Sequence, residues 1–151
     1  AAVYLAGILA KEVDFLSVGS NDLTQYLLAV DRGNARVAPL YQSLHPAVLS
    51  AFRHVLDAAK SLGKPVSICG ELAGNARAAP LLIGMGFDQL SMNAGSLPVV
   101  KHILAAFSRE ELKVLLDHLM TLNSSREIEE TLDVEFSLRG LEPFLHKEGD
   151  S

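Results

Sequence analysis

Apolar positions in this chain follow two different periods that take turns along its length. Val13, Phe15, Leu16 and Val18 make a short apolar run that stops at Gly19, and Val66 and Ile68 make another that stops at Cys69-Gly70. Short apolar runs closed by glycine read as strands, here 13–18 and 65–69. Between them Val48, Leu49, Phe52, Val55, Leu56 and Ala59 recur down one face at helical spacing. Pro46 suits the first position of that helix, and Gly63 suits its end. A shorter helical stretch is expected from Leu23 to about Val30. Residues 31–45, with Gly33, Asn34 and Pro39, read as a loop.

The flanks extend the alternation. Ala1 to Lys11 is apolar and alanine-rich, the pattern of the back half of a helix. Asn75 is placed to cap a helix reaching about Met85. Gly86 breaks it, and Gln89-Leu90-Ser91-Met92 is a third short strand. Ser96 is expected to cap a helix from Leu97 to Ala106, with Pro98 in its first turn. Ser108-x-x-Glu111 and Ser124-x-x-Glu127 are capping-box signatures of two further helices. Leu112, Leu115, Leu116 and Leu119 mark the buried face of the first. From about Gly140 to residue 151 a loosely held tail is expected.

This order, α-β-α-β-α-β-α and then extra helices, calls for an α/β fold with a parallel sheet. Three strands cannot close a barrel. The chain is therefore either a small open sheet or the last part of an eight-stranded (β/α) barrel, and periodicity leaves both open. With no repeat, linker or low-complexity stretch, residues 1–151 read as one partial domain.

Composition narrows the function classes. The chain has 151 residues, 49% of them hydrophobic, which argues against disorder. A net charge of -5 argues against a nucleic-acid partner. The absence of any run of about 18 apolar residues, and of a signal-peptide pattern, predicts a soluble protein with no membrane partner. One cysteine cannot form an internal disulfide, which fits a reducing cytoplasm. The chain starts with Ala, inside an apparent helix, as a piece of a longer protein would.

Ligands of parallel α/β proteins bind at the C-terminal ends of strands. Here one strand end delivers Asn21 and Asp22, and another delivers Cys69 and Glu71. The two together predict an active-site rim.

Gly19-Ser20-Asn21-Asp22-Leu23-Thr24-Gln25-Tyr26 with Ala29-Val30-Asp31-Arg32-Gly33-Asn34 resembles the phosphoenolpyruvate-binding domain of Enzyme I, the phosphoenolpyruvate–protein phosphotransferase family of the bacterial phosphotransferase system. Leu44-His45-Pro46-Ala47-Val48, Cys69-Gly70-Glu71-Leu72-Ala73-Gly74, Gly84-Met85-Gly86-Phe87-Asp88 and Leu90-Ser91-Met92-Asn93 continue the resemblance in order. It covers residues 1–105 well and the remainder weakly. Val66 to Glu71 and Ser91-Met92-Asn93-Ala94 look most like the nitrogen-branch paralogue. Pyruvate phosphate dikinase and phosphoenolpyruvate synthase share a similar Asn-Asp-Leu-Thr-Gln run. The Ala29–Asn34 stretch and Glu71-x-Ala73-Gly74 favour Enzyme I over them.

The resemblance implies the C-terminal part of a TIM-type barrel that dimerises, and a reaction in which phosphate moves from phosphoenolpyruvate to a histidine on another domain, leaving pyruvate. Onward transfer to a phosphocarrier protein would run through that missing N-terminal domain. Asp22 is implied as a Mg²⁺ ligand; Mg²⁺ takes one or two carboxylates plus substrate oxygens. The alternative is that Asp22 caps a helix starting at Leu23, and the two roles are compatible. Asn21 would offer its amide and its helix N-terminal N–H to the phosphate, where the plainer alternative is a turn residue. Arg32 would contact the phosphate through its guanidinium fork, unless it is one more solvated loop arginine.

Cys69 is implied as the acid/base at the enolate carbon. Free thiols ordinarily titrate at about 8.5 and keep their proton near neutrality, which suits donation to carbon. Its plainer alternative is a small buried hydrophobe. Glu71 could orient neighbouring groups, with no metal role assigned to it, but a place at the surface or at a helix cap is the expectation; Met85 and Met92 are expected in the core. His45, His54, His102, His118 and His146 show no metal-ligand spacing, and His45 is placed to cap a helix. The family's glutamate metal ligand and earlier arginines lie outside this chain, so turnover by the chain alone is not expected. Two rivals remain: a non-catalytic binding or dimerisation module, and, last, an unrelated barrel enzyme using Cys69 as a nucleophile.

Overall fold

In the computed structural model, which describes residues 1–144, three parallel strands form one sheet in the order β1-β2-β3. They are β1 (Leu16–Gly19), β2 (Val66–Cys69) and β3 (Gln89–Ser91). Leu16 pairs with Val66 and Gly19 with Cys69, while Ser67 pairs with Gln89 and Cys69 with Ser91. The sheet is open, in agreement with the expected piece of an incomplete barrel.

Because side chains alternate across a strand, this register sorts the sheet into two unlike faces. Val18, Val66 and Ile68 point to the buried side, with Leu16 and Leu90 packed against the same core. The other face carries Ser17, Gly19, Ser67, Cys69, Gln89 and Ser91, and all are exposed or half-buried. Parallel sheets are ordinarily covered on both faces. This one is roofed on one.

The roof is helical. Helix α1 (Ala6–Glu12) packs on α3 (Pro46–Lys60), whose Val48, Leu49, Phe52, Val55, Leu56 and Ala59 are all buried, as their spacing predicts. Helix α5 (Ala78–Met85) packs on α7 (Arg109–Leu119), which buries Leu112, Leu115, Leu116 and Leu119. Gly84 lets the two approach: a Cβ there would lie 3.0 Å from the Leu112 carbonyl oxygen. Helix α6 (Leu97–Leu104) and α8 (Ser125–Ser137) close a second small cluster around Ile103, Phe136 and Leu141.

Several local expectations shift. The first strand starts at Leu16, whose N–H bonds the Pro65 carbonyl, and Val13 and Phe15 stay exposed. Helix α2 spans Ser20–Leu28, so Asp22 lies inside its first turn instead of capping a helix begun at Leu23. Asn75 does receive the Ala78 N–H, at 2.8 Å. Ser96 holds the N-cap position of α6 as expected, but its side chain makes no cap bond; its N–H and hydroxyl both donate to Asn93 Oδ1. The Ser108 box is complete, whereas Glu127 reaches back to the Asn123 N–H and only Ser124 plays its part in the second. The tail expected from Gly140 begins packed, with Leu141 buried and Phe144 against His102. Residues 145–151, His146 included, lie outside the described residues.

Candidate active site

The C-terminal ends of β1 and β2 are pressed together by one glycine. Gly70 has φ +101°, in the region that L side chains rarely adopt, and a Cβ there would lie 2.4 Å from Ser20 Oγ and 2.9 Å from Asn21 Oδ1. With that atom absent, the next peptide reaches across: the Glu71 N–H donates to Asn21 Oδ1 at 3.2 Å. Ser20, itself buried, donates to the same oxygen at 3.3 Å. The carboxamide of Asn21 therefore spends its acceptor on the frame, leaving its NH2 group as the donor it can offer a ligand.

Arg32 closes the arrangement from the side. It lies in the exposed stretch 31–36, and its Nη1 donates to Glu71 Oε1 at 3.0 Å. The pair is open to solvent, with 47% and 78% of the two side chains exposed, so it is worth about 0–1 kcal/mol. Tyr41 supplies a third tie: its hydroxyl donates to the Asn21 carbonyl at 3.3 Å. Burial pushes this phenol above its ordinary value; Thr24 and the Arg32 guanidinium pull it down, and the Glu71 and Asp22 carboxylates push it up. Tyr41 therefore stays a protonated donor at neutral pH, in reach of the fields of Asp22, Arg32 and Glu71.

Asp22 is exposed in the first turn of α2, where the helix dipole favours a carboxylate. Among the described residues no three His, Cys, Asp or Glu side chains come together as a metal cage. One accessible carboxylate does suit Mg²⁺, which commonly binds proteins through one or two and takes other oxygens from substrate.

Cys69 lies on the polar face of the sheet, between Gly19 and Ser91 in register, and is half-buried. It does not have the sealed setting of a small core hydrophobe. Beside it a cleft of about 530 Å³ opens over the ends of β2 and β3, lined by Tyr41, Gly70, Glu71, Asn75, Met92 and Asn93 among others. Met92 is thus a wall of this cleft and not core filling, whereas Met85 is buried as expected.

Of the four residues singled out from the sequence, Asn21 and Arg32 meet through Glu71, Asp22 lies one residue further along, and Cys69 stands on the sheet two residues before Glu71. Tyr41 is the contributor that sequence reasoning missed; Glu71, placed at the rim by the sequence as a group that could orient its neighbours, gains its partners Arg32 and Asn21 only in the structure. The signal for Glu71 was its place after Gly70; Tyr41 lies in a loop with no periodicity to flag it. The described histidines go elsewhere. His45 Nδ1 accepts the Ala47 N–H at the start of α3, as its place predicts. His54 packs near Tyr4, and His102 near Phe144. His118 lies on α7.

Comparison with known proteins accords with this geometry. The family model described as "PEP-utilising enzyme, PEP-binding domain" matches residues 1–109. The phosphoenolpyruvate-protein phosphotransferase of Haemophilus influenzae is 47% identical over 128 residues, covering 85% of this chain and 22% of that protein. Its namesake in Geobacillus stearothermophilus is 43% identical over 138 residues, covering 91% and 24%. Multiphosphoryl transfer protein 2 of Escherichia coli is 47% identical over 122 residues, covering 81% and 15%. The chain thus spans no more than about a quarter of the length of these relatives. The match over most of its length, with the motif residues gathered at the strand ends, makes the chain a member of the PEP-utilising enzymes, in their PEP-binding domain family.

Proposed function

We propose that this chain is the C-terminal part of the phosphoenolpyruvate-binding barrel of a phosphoenolpyruvate–protein phosphotransferase. The observation that carries the proposal is the junction of Asn21, Arg32 and Glu71 over the ends of β1 and β2, in a chain whose relatives carry that enzyme's name. Phosphoenolpyruvate binds with its phosphate toward Arg32 and the Asn21 amide. The first-turn N–H groups of α2, which no helical carbonyl satisfies, add to the anion's hold.

In the reaction the bond between phosphorus and the enol oxygen breaks. The phosphoryl group passes to a histidine on a separate domain, and the electron pair stays with the enolate. Cys69 delivers a proton to the enolate carbon, which completes pyruvate, and takes one back in the reverse direction. Asp22 would be one ligand of a bound Mg²⁺, which would supply positive charge against the negative charge that builds on the substrate. The phosphate leaves the histidine for a phosphocarrier protein. The remaining metal ligand and arginines come from parts of the barrel outside this chain, so the chain alone is inactive.

The nitrogen branch rests on Val66–Glu71 and Ser91–Ala94 alone, and a cytoplasmic setting fits the single free thiol. Homodimerisation or self-association fits the apolar surface of α1 and the β1 edge, where Tyr4, Ile8 and Phe15 are exposed. No helix among the described residues is long and apolar enough to cross a membrane.

The test uses the full-length protein that contains this chain. Mg²⁺-dependent exchange of the pyruvate methyl protons with solvent is followed by NMR, in wild type and in Cys69→Ala. Exchange lost in the variant, with phosphoenolpyruvate still bound, supports the assignment. Exchange that survives in the variant removes Cys69 as acid/base. Binding without exchange in the wild type leaves a non-catalytic module.

A further inference from the structure

Arg32 belongs to a segment that holds itself together but little else. Gly33 N–H donates to Asp31 Oδ1 at 2.8 Å and Arg36 N–H to Asn34 Oδ1 at 3.1 Å, both within the turn. Residues 31–36 are exposed throughout. Among the described residues, the hydrogen bonds made by residues 31–36 stay within 31–38, with one exception: Arg32 to Glu71, across 39 positions of sequence. A long, flexible side chain on such a turn, here half-exposed, has many orientations and little packing to choose among them.

Glu71 is the opposite kind of residue. Its backbone N–H is fixed to Asn21 Oδ1, and it follows the close contact of Gly70 with Ser20 and Asn21. Its position is therefore set by the ends of both strands. Among the described residues, one guanidinium nitrogen is engaged, at one carboxylate oxygen. An arginine has five N–H donors, so the contact directs the group without using it up.

We propose that Glu71 is a positioning residue for Arg32: its carboxylate turns the guanidinium of a weakly held turn toward the ends of β1 and β2, with the other N–H donors left for the phosphate of the substrate. The inference rests on the phosphotransferase reading given above and assigns Glu71 no contact with substrate. Its effect is on how often Arg32 is already in place when the anion arrives, and so on KM more than on kcat.

Steady-state kinetics of the full-length protein, with phosphoenolpyruvate varied, tests it in Glu71→Ala, Glu71→Gln, Arg32→Ala and the double variant Arg32→Ala/Glu71→Ala. The Arg32→Ala change raises KM by about ten- to a hundredfold, as loss of a charged hydrogen bond does. Glu71→Ala raises KM by about three- to fivefold with kcat held within about twofold. Glu71→Gln keeps an oxygen acceptor and recovers much of that loss. In the Arg32→Ala background, removing Glu71 adds nothing, since the two act through one contact.

An unchanged or lowered KM in Glu71→Ala overturns the inference, as does an equal further rise in the Arg32→Ala background. So does a fall in kcat that tracks a fall in melting temperature. If wild type turns over and Arg32→Ala behaves as stated while Glu71→Ala does not, this inference alone fails. If wild type shows no phosphoenolpyruvate-dependent transfer, or Arg32→Ala has wild-type KM, the reading beneath it fails as well.

Discussion

Strand β2 is fastened at both ends by a carboxylate, a cation and a backbone N–H, yet the two ends are built to different purposes. At its start the Val66 N–H donates to Asp88 Oδ2 at 2.7 Å, and Lys60 Nζ lies 2.6 Å from both oxygens of the same carboxylate. Asp88 returns its own N–H to the Val66 carbonyl at 2.9 Å. Each group there sits at the end of a regular element: the last residue of α3, the first of β2, the approach to β3. At the other end the cation hangs from an exposed turn and the carboxylate from the one-turn helix α4 (Glu71–Gly74). Bonds of one type make a fixed clamp where both partners end regular elements, and a directing contact where a fixed carboxylate meets an arginine on an exposed turn. Barrel enzymes divide stability and chemistry between the same two ends.

Substitutions at the two ends separate these purposes. The largest effect expected is on chemistry. On the proposed function, Cys69→Ala lowers methyl-proton exchange by about a hundredfold or more. A thermal melt should show little change, because the side chain is half-buried and on the open face. Next comes Gly70→Ala, which combines a backbone at φ +101° with a Cβ in contact with Ser20. Its cost is about 2 kcal/mol or more, measured by urea unfolding, together with weakened binding of phosphoenolpyruvate because the strand ends move apart.

At the clamp, Asp88→Ala leaves the N–H of the fully buried Val66 without its acceptor. That costs about 1–2 kcal/mol in the same unfolding experiment, while phosphoenolpyruvate affinity stays put. The pH dependence has a definite sign. The Lys60 hydrogen bond, and then that of the Val66 N–H, hold the Asp88 carboxyl below its ordinary range. A carboxyl lowered by folding stabilises fully above its unfolded value of about 3.9 and loses that contribution as pH falls through the folded value. The stability gap between wild type and Asp88→Asn should therefore narrow in acid. The smallest effect is Tyr41→Phe, which removes one half-buried hydroxyl from the Asn21 carbonyl. About 0.5–1 kcal/mol is expected, with a modest rise in KM. A Tyr41→Phe variant that destabilised more than Asp88→Ala would contradict the division drawn between the two ends.

The layout of helices and strands was legible because the signals were local. Pro46, Gly86 and the Ser108 box each act within a turn of where they stand, and the face of α3 follows from spacing alone. Boundaries slipped where tertiary contact decided them. Val13 and Phe15 are apolar enough for a strand, but pairing starts only where Leu16 meets Pro65, a contact 49 positions away in the chain. The site was legible in part: Asn21, Asp22, Arg32 and Cys69 carry motif signals. Glu71 carries one too, but its partner Arg32 lies 39 residues away, and Tyr41 carries none, because its place depends on a bond to the Asn21 carbonyl across 20 residues. The second box is half made because Glu127 accepts from the Asn123 N–H instead of the Ser124 N–H.

The unroofed side of the sheet has a practical consequence. Serines, a glutamine and a thiol leave it wettable, so it has little adhesive character. The sticky surface lies around the corner, where Tyr4, Ile8 and Phe15 are 80%, 63% and 63% exposed. Charged replacements at Ile8 and Phe15 are accordingly the changes that would keep this chain dispersed in water without touching the rim formed by Asn21, Arg32 and Glu71.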